Sequence, residues 1–418
     1  MKLLLVFALA LSPLAAQQLP VADPAQAGLS KERLARIAPY MNKQIEENHM
    51  SGAIGLVIRN GKVAYFEPYG FMDKDAKKPM QKNAIFRMYS MTKAVTGVAV
   101  MMLMEEGKFV INDPVSKYLP EFAKPQVAVV ENGRVTSTVP AEREMTIRDL
   151  MRHTSGVVDY VGLNDKDGES YLRKANIYDP SIDLAEFCRR LAKIPLSYQP
   201  GTTFQYGYSI DVLGRLVEVV SGKRFEDFLD DRIFKPLGMV DTGFYVPESK
   251  WGRFVIVDAG NPRGIVRRGP AAAQEAYKKK PAAALGGQGM VSTAMDYARF
   301  TQMLLNGGVL DGKRILGRKS VELMHMDHLG DLARGPGIAN LAPGTGFGLT
   351  FAVTKDPGKL GVMASAGEYY WAGAAGTRFW IDPKEKMITI FMVNIMPLAG
   401  SGNIGPMFKV LAYQAIAD

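Results

Sequence analysis

A single cysteine, Cys188, is found in 418 residues, so no intrachain disulfide can form and the fold must rest on burial alone. It lies in Leu184-Ala185-Glu186-Phe187-Cys188-Arg189-Arg190-Leu191. Apolar residues recur there at helical spacing, which predicts a buried structural thiol rather than a nucleophile. Long apolar runs are also scarce. Beyond the first residues no stretch approaches the roughly 20 apolar positions of a membrane-spanning helix, and no stable span is expected. Internal repeats and low-complexity linkers are missing, which argues for a single unit rather than an array. Excess charge is modest, with 51 Lys+Arg against 42 Asp+Glu. The densest basic run, Lys278 to Lys280, has only Tyr277 beside it and no recognised nucleic-acid motif, so a solvated loop and no nucleic-acid partner are expected.

What is present begins with Met1-Lys2, an apolar stretch from Leu3 to Leu11, then Pro13, Leu14, Ala15 and Ala16 before Gln17-Gln18. A charged start, a short apolar middle and small residues at the end read as a cleavable signal peptide over 1–16. The mature chain, 17–418, is therefore expected in a periplasm or outside the cell. Its composition, 47% hydrophobic and 22% charged, is that of an ordinary globular protein able to bury a large core.

Ser30 to Glu47 places Leu34, Ile37, Met41 and Ile45 on one face and predicts an amphipathic helix. Ala53 to Arg59 and Lys62 to Glu67 flank Asn60-Gly61, a strong hairpin signal. A second hairpin, Thr377 to Ile381 and Met387 to Val393, comes very late, and a final helix is expected from about Ile404 to Ala417. Helices are expected between these ends: Ile147 to His153 capped by Thr146, Leu184 to Ala192, Asp211 to Val220 and Phe225 to Ile233. A small hairpin around Asn132-Gly133 interrupts them. This order predicts an α+β fold, one antiparallel sheet built from both chain ends and flanked by helices. The sheet part would take about 30–115 and 287–418, with a mainly helical insert over about 116–286 and the active site between the two parts.

The chemically informative segment is Phe86-Arg87-Met88-Tyr89-Ser90-Met91-Thr92-Lys93, which runs on as an apolar helix to Gly107. Residues three apart share a helix face, so Lys93 can reach the Ser90 hydroxyl, and a helix N-terminus favours negative charge developing there. To act as a base the amine must be neutral, which requires burial or a nearby cation. Ser-x-x-Lys alone is a weak signal. Ser90 is, however, the only serine with lysine three residues on, and an inward lysine on so apolar a helix is costly without a role. The second segment is Pro200-Gly201-Thr202-Thr203-Phe204-Gln205-Tyr206-Gly207-Tyr208-Ser209. Tyr206 falls on a loop before a helix, where a phenol can shuttle a proton.

Five segments together carry a resemblance: Ser90 to Lys93; Leu150-Met151-Arg152-His153-Thr154-Ser155-Gly156; Pro200 to Leu213; Gly286-Gly287-Gln288-Gly289-Met290-Val291-Ser292-Thr293; and Trp371-Ala372-Gly373. The chain resembles the class C β-lactamase and penicillin-binding-protein superfamily, and within it the family VIII carboxylesterases. The resemblance implies that Ser90 is an acylated nucleophile, that Lys93 and Tyr206 handle its proton, and that the backbone N–H groups of Ser90 and Ala374 form an oxyanion hole. It puts Tyr208, Trp371, Ala372 and Gly373 against the substrate, a small ester or amide, and requires no metal or organic cofactor. The β-lactamases and peptidases carry Lys-Thr-Gly where this chain has Trp371-Ala372-Gly373, and Asn where it has Tyr208. Both departures favour an uncharged ester.

Other candidates fit less well. A Gly-x-Ser-x-Gly turn is not found, since Met363 precedes Ala364-Ser365-Ala366-Gly367. His153 reads as structural. His325 and His328 lack a third ligand and read as a surface helix rather than a metal site. Ester hydrolysis leads. A β-lactam or D-amino-acid peptide as substrate, an alcohol as acyl acceptor, and a non-catalytic envelope-binding scaffold stay open, as does oligomeric state.

Overall fold

The computed structural model describes residues 18–335 and 341–418; the expected signal peptide lies outside the described residues. Eight antiparallel strands make the main sheet: β1 (Gly52–Arg59), β2 (Lys62–Asp73), β3 (Lys78–Pro79), β4 (Thr345–Phe347), β5 (Ala352–Thr354), β6 (Tyr369–Ala372), β7 (Arg378–Asp382) and β8 (Met387–Met392). Their order across the sheet is β4-β5-β6-β7-β8-β1-β2-β3. The two chain ends therefore meet at its centre. β1 pairs with β8 from Ile54 opposite Met392 to Arg59 opposite Met387. It turns into β2 through Asn60 and Gly61, both with positive φ, as a two-residue hairpin requires.

Both faces of the sheet are covered, so every residue of β1 is buried. Ile54, Leu56 and Ile58 pack into the larger core; Ala53 and Val57 point into the smaller one, as the two-residue period of a strand demands. The smaller core is closed by helices α1 (Ile37–Glu46) and α5 (Ile404–Tyr413). The larger core is built around α2 (Thr92–Glu105), whose residues Thr92 to Leu103 are all buried. Around it stand α3 (Ser209–Ser221) and α4 (Ala294–Leu305). The expected α+β architecture is the one observed.

Several boundaries differ from expectation for local reasons. The helix expected over 30–47 is two pieces, Lys31–Leu34 and α1. Pro39 has no N–H for the Ala35 carbonyl and its ring would clash with it, so the chain must restart near Arg36. The last helix ends at Tyr413 rather than Ala417, because Ile416 bridges to Leu29. On that helix Met407 is exposed, whereas Phe408 fills the space against β8. His325 and His328 are not on a surface helix. They follow helix Arg318–Met324; His325 stacks on Tyr369 at 4.6 Å, and buried His328 bonds to Leu323 O at 2.8 Å and accepts from Arg148 Nε. Cys188 is fully buried, and burial pushes its thiol up.

Behind the sheet a charged pair is sealed from water. Lys409 Nζ on α5 lies 2.6 Å from Glu368 Oε1, and the Tyr413 hydroxyl lies between Glu368 Oε2 at 2.7 Å and Asp382 Oδ2 at 3.1 Å. No helix among the described residues is long and apolar enough to cross a membrane.

Candidate functional site

Ser90 sits in a 3-10 turn, Tyr89–Met91, that precedes α2 rather than in the helix itself. The turn is held from both sides. Residues 85–87 pair with 291–293, Met88 N donates to Met290 O at 2.9 Å, and Asn394 uses its amide to accept from Arg87 N and donate to Arg87 O, each at 3.1 Å. Tyr89 adopts φ 45°, an unfavourable left-handed conformation for an aromatic residue. The surrounding bonds hold it there and leave Ser90 partly exposed in a cavity.

Lys93 is fully buried one turn on. Its Nζ lies 3.2 Å from Ser90 Oγ, 3.0 Å from the Tyr160 hydroxyl and 2.6 Å from Gly287 O. The Gly287 carbonyl is fixed in turn, because Gly287 N donates to Asp211 Oδ1 at 2.9 Å. Any side chain at 287 would meet that carboxylate, with Oδ2 2.6 Å from an added Cβ. Asp211 is wholly buried near the start of α3. Burial pushes its carboxyl up to about 6, opposed by the positive charge of Lys93. Burial also holds the Tyr160 phenol well above its usual 10, with the Asp211 charge acting the same way.

Tyr206 is beside Lys93 but meets it with its ring, the centroid lying 4.6 Å from Nζ. Its hydroxyl accepts from Trp371 Nε1 at 3.3 Å. His153 packs against the Tyr206 ring at 4.7 Å and accepts a 3.4 Å bond from Gly207 N at Nδ1. Burial, and next the nearby Lys93 charge, drive the His153 imidazole well below 6.5, so it stays neutral and acts as packing. Gly207 is required by close approach: a Cβ there would lie 2.4 Å from Val158 O. Tyr208 packs on Tyr160 at 4.6 Å.

The third segment ends β6. Gly373 lies flat against the turn before Ser90, since an added Cβ would meet Met88 O at 2.5 Å. Among the described residues no acceptor takes the Ala374 N–H. Ser90, Tyr206, Tyr208, Trp371, Ala372, Gly373 and Ala374 all line one cavity of about 560 Å³, with Lys93 beneath it. A separate cavity of about 310 Å³ between Glu226, Asp241 and Lys250 contains none of them. Sequence reasoning missed Tyr160, which no motif spacing marks. It also gave no role to Asp211 and Gly287, although both stand in segments that carry the resemblance. No group of three His, Cys, Asp or Glu side chains among the described residues is placed to hold a metal.

An antiparallel sheet flanked by helices, with a Ser-x-x-Lys turn whose lysine is buried and which faces a loop tyrosine, defines a β-lactamase/transpeptidase-like serine hydrolase. The β-lactamase family model matches residues 35–414, and the chain belongs to that family. Esterase EstB of Burkholderia gladioli is 30% identical over 92% of this chain and 96% of its own length. Protein Rv1367c of Mycobacterium tuberculosis is 35% identical over 83% of this chain and 86% of its own. Among solved structures, EstCE1, a hydrolase with promiscuous acyltransferase activity, superposes with a TM-score of 0.76 at 25% identity, over 93% of this chain and 99% of that one.

Proposed function

We propose that the protein is an exported carboxylesterase that acts on small to medium esters through an acyl-enzyme on Ser90. The observation that carries this is a fully buried amine, Lys93 Nζ, 3.2 Å from the hydroxyl of a serine that opens onto a cavity. In its neutral form Lys93 takes the Ser90 proton as Oγ attacks the ester carbonyl. The Ser90 and Ala374 N–H groups receive the oxyanion, and loss of one such donor typically costs about 3 kcal/mol. The alcohol leaves with the proton returned through Lys93 and the adjoining phenols, Tyr206 and Tyr160. Water then attacks the acyl-enzyme by the reverse route. Support for an ester over a β-lactam comes from Trp371-Ala372 in place of Lys-Thr and from the relative named an esterase. Export is supported by the N-terminal charged-then-apolar pattern.

The test is hydrolysis of p-nitrophenyl butyrate and of a chromogenic cephalosporin, side by side, with labelling by an active-serine phosphonate mapped to its peptide. Fast ester turnover, slow cephalosporin turnover and label on Ser90 are expected. Cephalosporin turnover exceeding ester turnover moves the substrate class to β-lactams, and no labelling at all returns the chain to a binding role.

Two further results are expected here. Tyr206→Phe and Tyr160→Phe should each lower kcat by roughly 100-fold, the scale of one general acid–base group. A Tyr206→Phe enzyme with wild-type kcat would remove Tyr206 from the proton path and leave Tyr160, the phenol bonded to Lys93. Second, the ionised Asp211 carboxylate holds Gly287 and is neutralised as pH falls through about 6. kcat/KM should therefore decline on that acid limb, and Asp211→Asn should abolish the inflection. Because burial raises this carboxyl, its contribution to stability is fully present below the unfolded value of 3.8 and is lost as pH rises through about 6. A fall in activity at low pH is then not unfolding caused by this group.

A further inference from the structure

The missing lysine at 371 predicts an uncharged substrate pocket, yet the cavity holds a cation from another strand. Arg378 begins β7 directly opposite Ala372, and paired residues project from the same face of a sheet. It lines the cavity together with Ser90, Tyr370, Trp380 and Met396. Its arm is accommodated by Gly405 at the start of α5, where an added Cβ would be 2.8 Å from Arg378 Cδ. The guanidinium makes one long bond, NH2 to Gly402 O at 3.5 Å, and among the described residues no carboxylate pairs with it.

The arginines buried more deeply are partnered. Arg59 meets Glu385 and Asp418, Arg299 meets Asp311, and Arg87 donates to the carbonyls of Val255, Ala273, Gln274 and Ala276. A guanidinium has five N–H donors in a fork that fits a carboxylate. Holding that charge partly out of water without a counter-ion is costly. Arg378 carries this cost in the wall of the reaction cavity, which Trp380 and Met396 also line.

We infer that Arg378 receives a carboxylate carried on one arm of the ester, so that the preferred substrates are anionic monoesters: half-esters of dicarboxylic acids, or esters of hydroxy acids. This rests on the ester-hydrolase reading and names its substrate class. A short aliphatic spacer carries the carboxylate along the cavity that Ser90 and Arg378 share, the reacting carbonyl stays at Ser90, and the carboxylate completes the pairing that the fold leaves open.

The experiment compares mono-p-nitrophenyl glutarate with p-nitrophenyl butyrate, and O-butyryl-4-hydroxybutyrate with butyl butyrate, in wild type, Arg378→Gln and Arg378→Lys. For one of the two pairs the charged ester should be preferred in kcat/KM by roughly tenfold or more, the strength of a charge-assisted hydrogen bond. That ratio should collapse in Arg378→Gln through KM rather than kcat, and recover in part in Arg378→Lys. Neutral esters turned over with no charged preference in either pair, or a preference that Arg378→Gln leaves intact, overturns the assignment while ester hydrolysis stands. If no ester is turned over, the hydrolase reading falls, and Ser90→Ala protein decides Arg378 separately. Trp371 and Trp380 border the cavity, so saturable quenching by monomethyl glutarate that Arg378→Gln abolishes supports the site, and its absence overturns it.

Discussion

Ser90→Ala is expected to lower kcat/KM for p-nitrophenyl butyrate by roughly 10⁵-fold, and Lys93→Met by roughly 10⁴-fold, with the double variant no worse than Ser90→Ala alone, because residues that act as one unit are not additive. The geometry supplies the reason. Among the described residues Ser90 Oγ has one side-chain partner, Lys93 Nζ at 3.2 Å, and His153, which packs on the Tyr206 ring, is held neutral and accepts from the backbone. No second base is bonded to Ser90 Oγ among the described residues. Steady-state rates with active-site titration decide the point, and a Lys93→Met enzyme within tenfold of wild type would mean that the serine is activated by another group. Lys93 is also buried, so its replacement by a residue of similar length preserves packing. Circular dichroism of both variants should match wild type.

The second large effect is on stability. Lys409→Met is expected to destabilise the fold by about 3–5 kcal/mol, because it leaves a buried carboxylate without its cation. Glu368 and Lys409 have side chains 1% and 7% exposed, so neither can turn to solvent. Burial raises the Glu368 carboxyl and lowers the Lys409 amine, and each charge opposes the shift of the other. The double variant Glu368→Gln/Lys409→Met should recover most of the loss, since it removes both charges together. Urea unfolding of the three proteins measures this. A single variant as stable as wild type would show that the pair is neutral toward folding and that Tyr413 and Thr354, which also bond to Glu368, suffice.

Neither effect could be argued equally well from the chain alone. Ser90 and Lys93 are three residues apart, and helical periodicity places them together whatever surrounds them. Glu368 and Lys409 are separated by 41 residues, and nothing in either segment marks the other. The same contrast runs through the site. Tyr206 and Tyr208 were legible because they precede a helix in a segment with a family resemblance. Tyr160 was not, since it bears no pattern and reaches Lys93 only because the loop after Gly156 folds back over α2. Gly207 had no reading in sequence, and its reason is a carbonyl 49 positions upstream, Val158 O. Pro39 did carry a local signal, the break in the first helix, that the apolar periodicity obscured.

By itself the sequence determined the elements whose causes are local: the hairpin at Asn60-Gly61, the apolar helix behind Ser90, the late hairpin with its final helix, and the serine–lysine pair. These depend on backbone preferences and on three- or two-residue periods, which act over a few neighbouring positions. The tertiary structure alone decided which polar groups converge. It set Tyr160, Gly287 and Asp211 around Lys93, turned the Tyr206 hydroxyl toward Trp371, and left Arg378, in the cavity of Ser90, without a carboxylate among the described residues. Hydrogen bonds and charges act over a few ångströms in space, and only the packed chain brings residues hundreds of positions apart within that range.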